Sequence, residues 1–125
     1  MKYKDQKVNL TETLTIKDGV ICSVYEFDHD NTKDLGIMKV SKGYKTPLQK
    51  VLSGEKTIEI FESGVGILTI TGVNGHQQQY NFPSKHTEVE VKIGEIMQWE
   101  AIEDMTFFEI CYPPYQEGRF KDIGN

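Results

Sequence analysis

An all-β fold is predicted by three features of the sequence. Short runs rich in β-branched and aromatic residues recur along the whole chain, turn-forming residues separate them at close spacing, and no segment carries the periodicity of an amphipathic helix. The runs, in order, are Leu10–Ile16, Val20–Phe27, Gly36–Val40, Leu48–Leu52, Thr57–Phe61, Val65–Thr71, Gln77–Phe82, Thr87–Ile93, Ile96–Ala101 and Phe107–Tyr112. Nine or ten short strands at this spacing predict a sandwich or a barrel.

Each boundary has its own turn chemistry. Lys17-Asp18-Gly19, Asp28-His29-Asp30-Asn31, Ser53-Gly54, Ser63-Gly64, Asn74-Gly75 and Pro83-Ser84 all supply residues that tolerate or pre-set turn dihedrals. Asn74-Gly75 is the strongest signal and predicts a type I′ hairpin, whose two central residues both need positive φ. Thr87–Ile93 alternates strictly, which places Val89, Val91 and Ile93 toward a core and Glu88, Glu90 and Lys92 toward water. Loose segments are expected in the first few residues, the acidic stretch Asp28–Asp34 and the tail after Arg119.

At 125 residues the chain fits one domain, 1–125, and its 38% hydrophobic content is enough to build a core. A formal charge of −5 argues against nucleic acid as a partner, since that affinity rests on Lys and Arg displacing counterions. No apolar run approaches the length of a membrane span and the N-terminus lacks a secretory apolar segment, so a cytoplasmic location is expected. The two cysteines, Cys22 and Cys111, lie far apart in apolar strand-like runs and are expected to be reduced core thiols.

The stretch Gly43–Gly64, GYKTPLQKVLSGEKTIEIFESG, has the frame of a known motif. It resembles the first motif of the cupins, in which a glycine is followed by His-x-His, a glutamate and a closing glycine. FESGVGILTITGVNG is similar to the strand pair that precedes the second cupin motif, and Gly94-Glu95 is similar to the start of that motif. Glu109-Ile110-Cys111-Tyr112-Pro113-Pro114 with Gly118-Arg119 resembles the ending of many small bacterial cupins. The resemblance implies a cupin-like double-stranded β-helix, a jelly-roll barrel, and a homodimer.

The ligand histidines of that family are replaced here. One register of the first motif puts Gln49 and Val51 at the two histidine positions with Glu55 at the glutamate; another puts Lys50 and Leu52 there, with Lys56 or Thr57 following. Met105 stands where the second motif has its histidine. His29, His76 and His86 sit in or beside turns with no His-x-His or His-x-x-x-His relation, so no metal and no cofactor are expected.

A barrel without its metal is expected to hold a small polar ligand, sugar-like or carboxylate-bearing, among inward side chains. Gln49 and Lys50 point to opposite faces, and Gln49 is the expected inward residue because a buried lysine without a partner is costly. Glu59 faces the barrel if Ile58 and Ile60 pack outward, and solvent if they pack inward. Gln98 and Trp99 are the candidates on the second motif, with Trp99 placed to stack on a ring or to pack in the core. Glu109, in an apolar strand, must face solvent, lie in a pocket or pair, with Lys50 and Arg119 as possible partners. Arg119, the only arginine, is read either as a tie for the tail or as an anion anchor at the pocket mouth. The alternative to ligand binding is a metal-independent sugar or sugar-nucleotide isomerase or epimerase, which would need a general base drawn from Glu55, Glu59, Glu109, Tyr44 or Lys50.

Overall fold

The computed structural model describes residues 1–124, and these form twelve strands with no helix. In chain order they are β1 (Lys2–Tyr3), β2 (Gln6–Lys17), β3 (Val20–Phe27), β4 (Asp30–Val40), β5 (Leu48–Val51), β6 (Lys56–Ser63), β7 (Gly66–Thr71), β8 (Gln77–Phe82), β9 (Glu88–Val91), β10 (Ile96–Ala101), β11 (Met105–Tyr112) and β12 (Phe120–Gly124). A seven-stranded sheet, β1-β2-β3-β4-β11-β6-β9, faces a five-stranded sheet, β12-β5-β10-β7-β8, and every pairing is antiparallel. The result is the jelly-roll barrel that the strand pattern and the motif resemblance predict.

The core between the sheets follows from strand alternation. Val20, Val40, Val51, Phe61, Leu68, Ile70, Phe82, Val91, Met97, Trp99, Ala101, Met105 and Phe107 form one buried cluster. Neighbouring aromatic rings run through it: Phe61 stacks on Phe82 at 4.9 Å, Phe82 lies 5.4 Å from Trp99, and Trp99 stacks on Phe107 at 4.4 Å. Contacts of this kind contribute about 0.5–1.5 kcal/mol each beyond their area burial.

The large sheet has a second apolar cluster on its outer face, made by Val8, Phe27, Leu35, Ile60 and Ile110. Tyr3 covers part of it, with its ring edge-to-face on Phe27 at 6.2 Å and on Phe108 at 5.5 Å. Strands of this sheet are therefore apolar on both faces, as in sheets covered on both sides.

The three segments expected to be loose contribute strands, apart from Asn125, which lies outside the described residues. β1 and β2 close a hairpin through Lys4 and Asp5, which both take positive φ (45° and 68°), the backbone signature of a type I′ turn. Asp28 and His29 form the tight connection between β3 and β4, so Asp30–Asp34 belongs to a strand. The tail pairs with β5 as β12, through Phe120–Val51, Lys121–Lys50 and Asp122–Gln49.

Two finer expectations are corrected. The β7–β8 hairpin forms, but positive φ falls on Gly75 and not on Asn74; the Asn74 side chain instead accepts the His76 N–H at 2.9 Å, within a loop closed by Gly75 N–H to Gly72 O. Strand β9 ends at Val91, and Ile93, in the following turn, is exposed. Among the described residues no helix is long and apolar enough to cross a membrane.

Candidate functional site

The inner face of the large sheet carries carboxyl groups at its centre. Glu59 on β6 and Glu109 on β11 are direct register partners, so strand alternation aims both into the barrel while Ile58, Ile60, Phe108 and Ile110 join the outer cluster. Glu59 is only 1% exposed. Glu109 is enclosed by protein but keeps part of its surface open to the cavity.

Two like charges at this depth cannot both persist. Burial raises the affinity of Glu59 for a proton well above the ordinary carboxyl range, and the charge of Glu109 and its hydrogen bond add to the effect. Glu109 is also pushed up, first by burial, while its hydrogen bond with Glu59 opposes the shift. Glu59 is thus the member of the pair held neutral, beside Glu109. Glu59 Oε1 accepts the Trp99 indole N–H at 2.9 Å. Oε2 is buried without a hydrogen-bond partner.

The surroundings of the pair come from β11 itself and from three further strands. Cys111, two residues after Glu109, places its Sγ 3.8 Å from Glu109 Oε1. Cys22 on β3 also lines the cavity; both cysteines are free and buried, and burial raises the Cys22 thiol to about 12 and the Cys111 thiol higher still. Asp34 on β4 lies opposite Cys111, accepts the Tyr115 N–H at 2.9 Å, and has its proton affinity raised by burial. Met97 and Trp99 on β10, with Phe107 on β11, supply apolar wall. The cavity is about 860 Å³, within the roughly 300–1,000 Å³ range of small-molecule sites.

The six residues singled out from sequence meet different fates. Glu59, Glu109, Trp99 and Gln49 all line this cavity. Gln49 faces inward and Lys50 outward, and the Gln49 amide donates to Asp122 Oδ1 at 3.0 Å. Trp99 is 1% exposed, with its ring packed on Phe107 and Phe82 and its N–H taken by Glu59, so it is core wall with no ring face free to stack on a ligand. Gln98 is not in the cavity. It lies on the opposite side of β10 from Trp99 and donates to Thr46 O at 2.9 Å, fastening the segment before β5, because adjacent strand residues point to opposite faces.

Arg119 is also absent from the cavity wall. It is 3% exposed, and its guanidinium donates to the carbonyls of Pro113 (2.9 Å), Lys56 (2.7 Å) and Tyr112 (3.1 Å) and to Thr57 Oγ1 (3.1 Å). It ties the tail to the barrel, and its Nε, buried without a partner, adds no anion site at the mouth. Glu109 forms no ion pair with Lys50 or Arg119 among the described residues; Arg119 acts on it only as a nearby positive charge. Asp34 and Cys22 are site residues that no sequence motif marks. Cys111 was accessible from its spacing of two from Glu109, which puts both on one strand face.

The positions that the motif resemblance matches to metal ligands hold no imidazole. Gln49 and Val51 are the inward residues of β5, Val51 and Met105 belong to the apolar core, and Glu55 is exposed. His29, His76 and His86 are exposed. Among the described residues no group of three or more His, Cys, Asp or Glu is placed to hold a metal ion.

No protein-family model matches the sequence, and no curated protein matches it significantly. Solved structures do match in fold. Salicylate 1,2-dioxygenase from Pseudoaminobacter salicylatoxidans superposes with a TM-score of 0.69 at 17% identity, over 89% of this chain and 31% of that one. Oxalate decarboxylase from Bacillus subtilis gives 0.66 at 18% identity, over 82% and 28%. The 7S globulin of Momordica charantia gives 0.68 at 13% identity, over 90% and 35%. The chain thus spans about a third of the length of each of these neighbours. All three are cupin proteins, and the curled antiparallel sheets described above are theirs as well. The chain has a cupin-like fold, a jelly-roll barrel with a carboxyl pair at its centre.

Proposed function

We propose that this domain binds a small polar organic molecule inside its barrel, without a metal, and that the Glu59–Glu109 pair is the polar floor of the site. The observation that carries this reading is a cavity of about 860 Å³ whose wall is largely apolar but whose floor holds two carboxyls. Small-molecule sites combine apolar lining with a few convergent polar groups in this way. The donor set at the matching cupin positions, Gln49, Val51 and Met105, supports metal independence. A thermal-shift panel of sugars, nucleotide-sugars, carboxylates and amines tests it. A ligand at 100 times its dissociation constant adds about 2.7 kcal/mol to stability and raises the melting temperature accordingly. Stoichiometric metal in untagged purified protein would contradict metal independence.

A second reading is favoured by one observation. Two carboxyls that face each other as register partners, Glu59 the more strongly held in its neutral form, place an acid beside a base, as a proton-shuttling isomerase or epimerase requires. Solvent deuterium appearing at a carbon of a bound sugar would support it.

The same reading includes a homodimer in the cytoplasm. The outer face of the large sheet presents half-buried Tyr25, Ile37 and Phe108, with Ile21 and Leu10 exposed, which is apolar surface suited to a second copy. Light scattering at micromolar concentration measures the oligomeric state; a monomeric mass would remove the dimer from the proposal.

A further inference from the structure

The charge of the cavity selects among ligands. Five carboxyl residues lie along the inner face of the large sheet, Glu12 on β2, Glu26 on β3, Asp34 on β4, Glu109 on β11 and Glu59 on β6. Register links the last four into a track from mouth to floor. Glu26 pairs with Asp34, Asp34 lies opposite Cys111 two residues from Glu109, and Glu109 pairs with Glu59.

Basic groups do not balance them. Lys33 is the one lysine of the lining, and its ammonium is turned to the other side of the sheet, where it donates to Gln6 Oε1 at 3.0 Å and lies 4.7 Å above the Phe27 ring. His29 is exposed at the β3–β4 turn, 3.6 Å from Asp28. The Arg119 fork is occupied by Thr57 and by backbone carbonyls. A phosphate, nucleotide or carboxylate would thus enter a field of its own sign.

The floor also holds an oxygen without a donor. Glu59 is 1% exposed, and its Oε2 has no protein donor. Beside it Glu109 keeps surface open to the cavity, with a weak thiol donor at 3.8 Å as its only other hydrogen-bonding neighbour apart from Glu59. Around this acidic floor the wall is apolar, with Leu14, Val24, Met38, Met97 and Phe107.

We infer that the barrel takes an organic cation, an ammonium-bearing molecule with an apolar body, whose charged head sits against Glu109 and whose body lies along Met38, Met97, Val24 and Leu14. The inference rests on the reading of the barrel as a small-molecule site and narrows its ligand class. A cation would meet negative potential from Glu26 inward through Asp34 and would give Glu109 the counter-charge that the protein itself does not place in contact with it.

Three probes of nearly one shape isolate the charge: 2-phenylethylamine, 2-phenylethanol and phenylacetate. The readout is the indole N–H of Trp99, the only tryptophan, which is bonded to Glu59 and gives a single unambiguous ¹⁵N–¹H signal. The amine is expected to shift this signal with a dissociation constant at least tenfold below that of the alcohol, and phenylacetate to leave it unmoved. Glu109→Gln is expected to weaken the amine at least tenfold and leave the alcohol unchanged. If that variant does not give the dispersed spectrum of a folded barrel, Asp34→Asn carries the test, with an expected loss of about threefold for the amine alone. Binding of the alcohol or phenylacetate as tight as that of the amine would overturn the cation inference and leave the barrel a ligand site. No shift with any of the three would overturn both. Amine binding unaffected by both substitutions would overturn the carboxylate track as its cause.

Discussion

Glu59 and Glu109 face each other across paired strands inside the barrel, and the indole of Trp99 holds the Glu59 carboxyl at 2.9 Å. One of the two must be neutral at ordinary pH, and burial and hydrogen bonding make it Glu59. The polarity of the cavity floor and the pH response of the fold both follow from this one contact.

Stability is predicted to decline from mildly acidic toward alkaline pH. The folded state holds the Glu59 proton more tightly than the unfolded chain, so this contribution is complete below the ordinary glutamate range, near 4.5, and is lost as pH rises through the raised folded value. Every tenfold gain in proton affinity on folding is worth about 1.4 kcal/mol. Glu59→Gln keeps an oxygen for the Trp99 N–H and removes the titration. Urea melts from pH 5 to pH 8.5 are expected to show a decline for the parent protein that is reduced in the variant.

Trp99→Phe is predicted to cost more than its loss of ring area. It deletes the N–H that Glu59 Oε1 accepts and leaves that buried oxygen unpaired, a loss of about 1–3 kcal/mol, to which the missing indole volume adds. Chemical denaturation of the purified variant measures it.

Arg119→Lys is predicted to destabilise by about 2 kcal/mol or more, since an ammonium cannot reproduce a planar fork that reaches three carbonyls and a hydroxyl. Gly54→Ala is expected to act at the same place. Gly54 has φ of +106°, and an added Cβ would lie 2.5 Å from the Arg119 guanidinium carbon. The two substitutions share one partner, so their combined cost, measured in a double-mutant cycle, is predicted to fall short of the sum.

Tyr3→Phe is predicted to be neutral or stabilising by up to about 1 kcal/mol. The Tyr3 hydroxyl is buried without a hydrogen-bond partner, while its ring makes the edge contacts to Phe27 and Phe108 that phenylalanine would keep. Tyr3→Ala opens the outer cluster and is expected to cost about 3 kcal/mol in the same denaturation assay.

Strand alternation and turn residues made most of the barrel legible in the sequence, from Val20–Phe27 through Phe107–Tyr112. What they could not convey was which face of β6 is inner. Ile58 and Ile60 pack away from solvent, normally the mark of a core face, but here the outer face has an apolar cluster of its own, so cover for the isoleucines and burial of Glu59 coexist. The N-terminal hairpin carries no turn signal in the sequence, because its turn residues are Lys4 and Asp5, and lysine is not a usual positive-φ residue. The Asp28–Asp34 stretch has the polar composition of a loop, although Asp34 is bonded to Tyr115 and Lys33 lies over Phe27. Gln98 is adjacent to Trp99, the one relation that in a strand guarantees opposite faces.

A carboxyl ¹³C titration of glutamate-labelled protein, with Glu59→Gln and Glu109→Gln used for assignment, tests the carboxyl pair most directly. The predicted result is a Glu59 signal that stays protonated well above the usual glutamate range, vanishes in Glu59→Gln, and moves down, though still above that range, in Glu109→Gln, where burial persists but the neighbouring charge is gone. Two ordinary glutamate titrations, unaffected by each other's substitution, would contradict it.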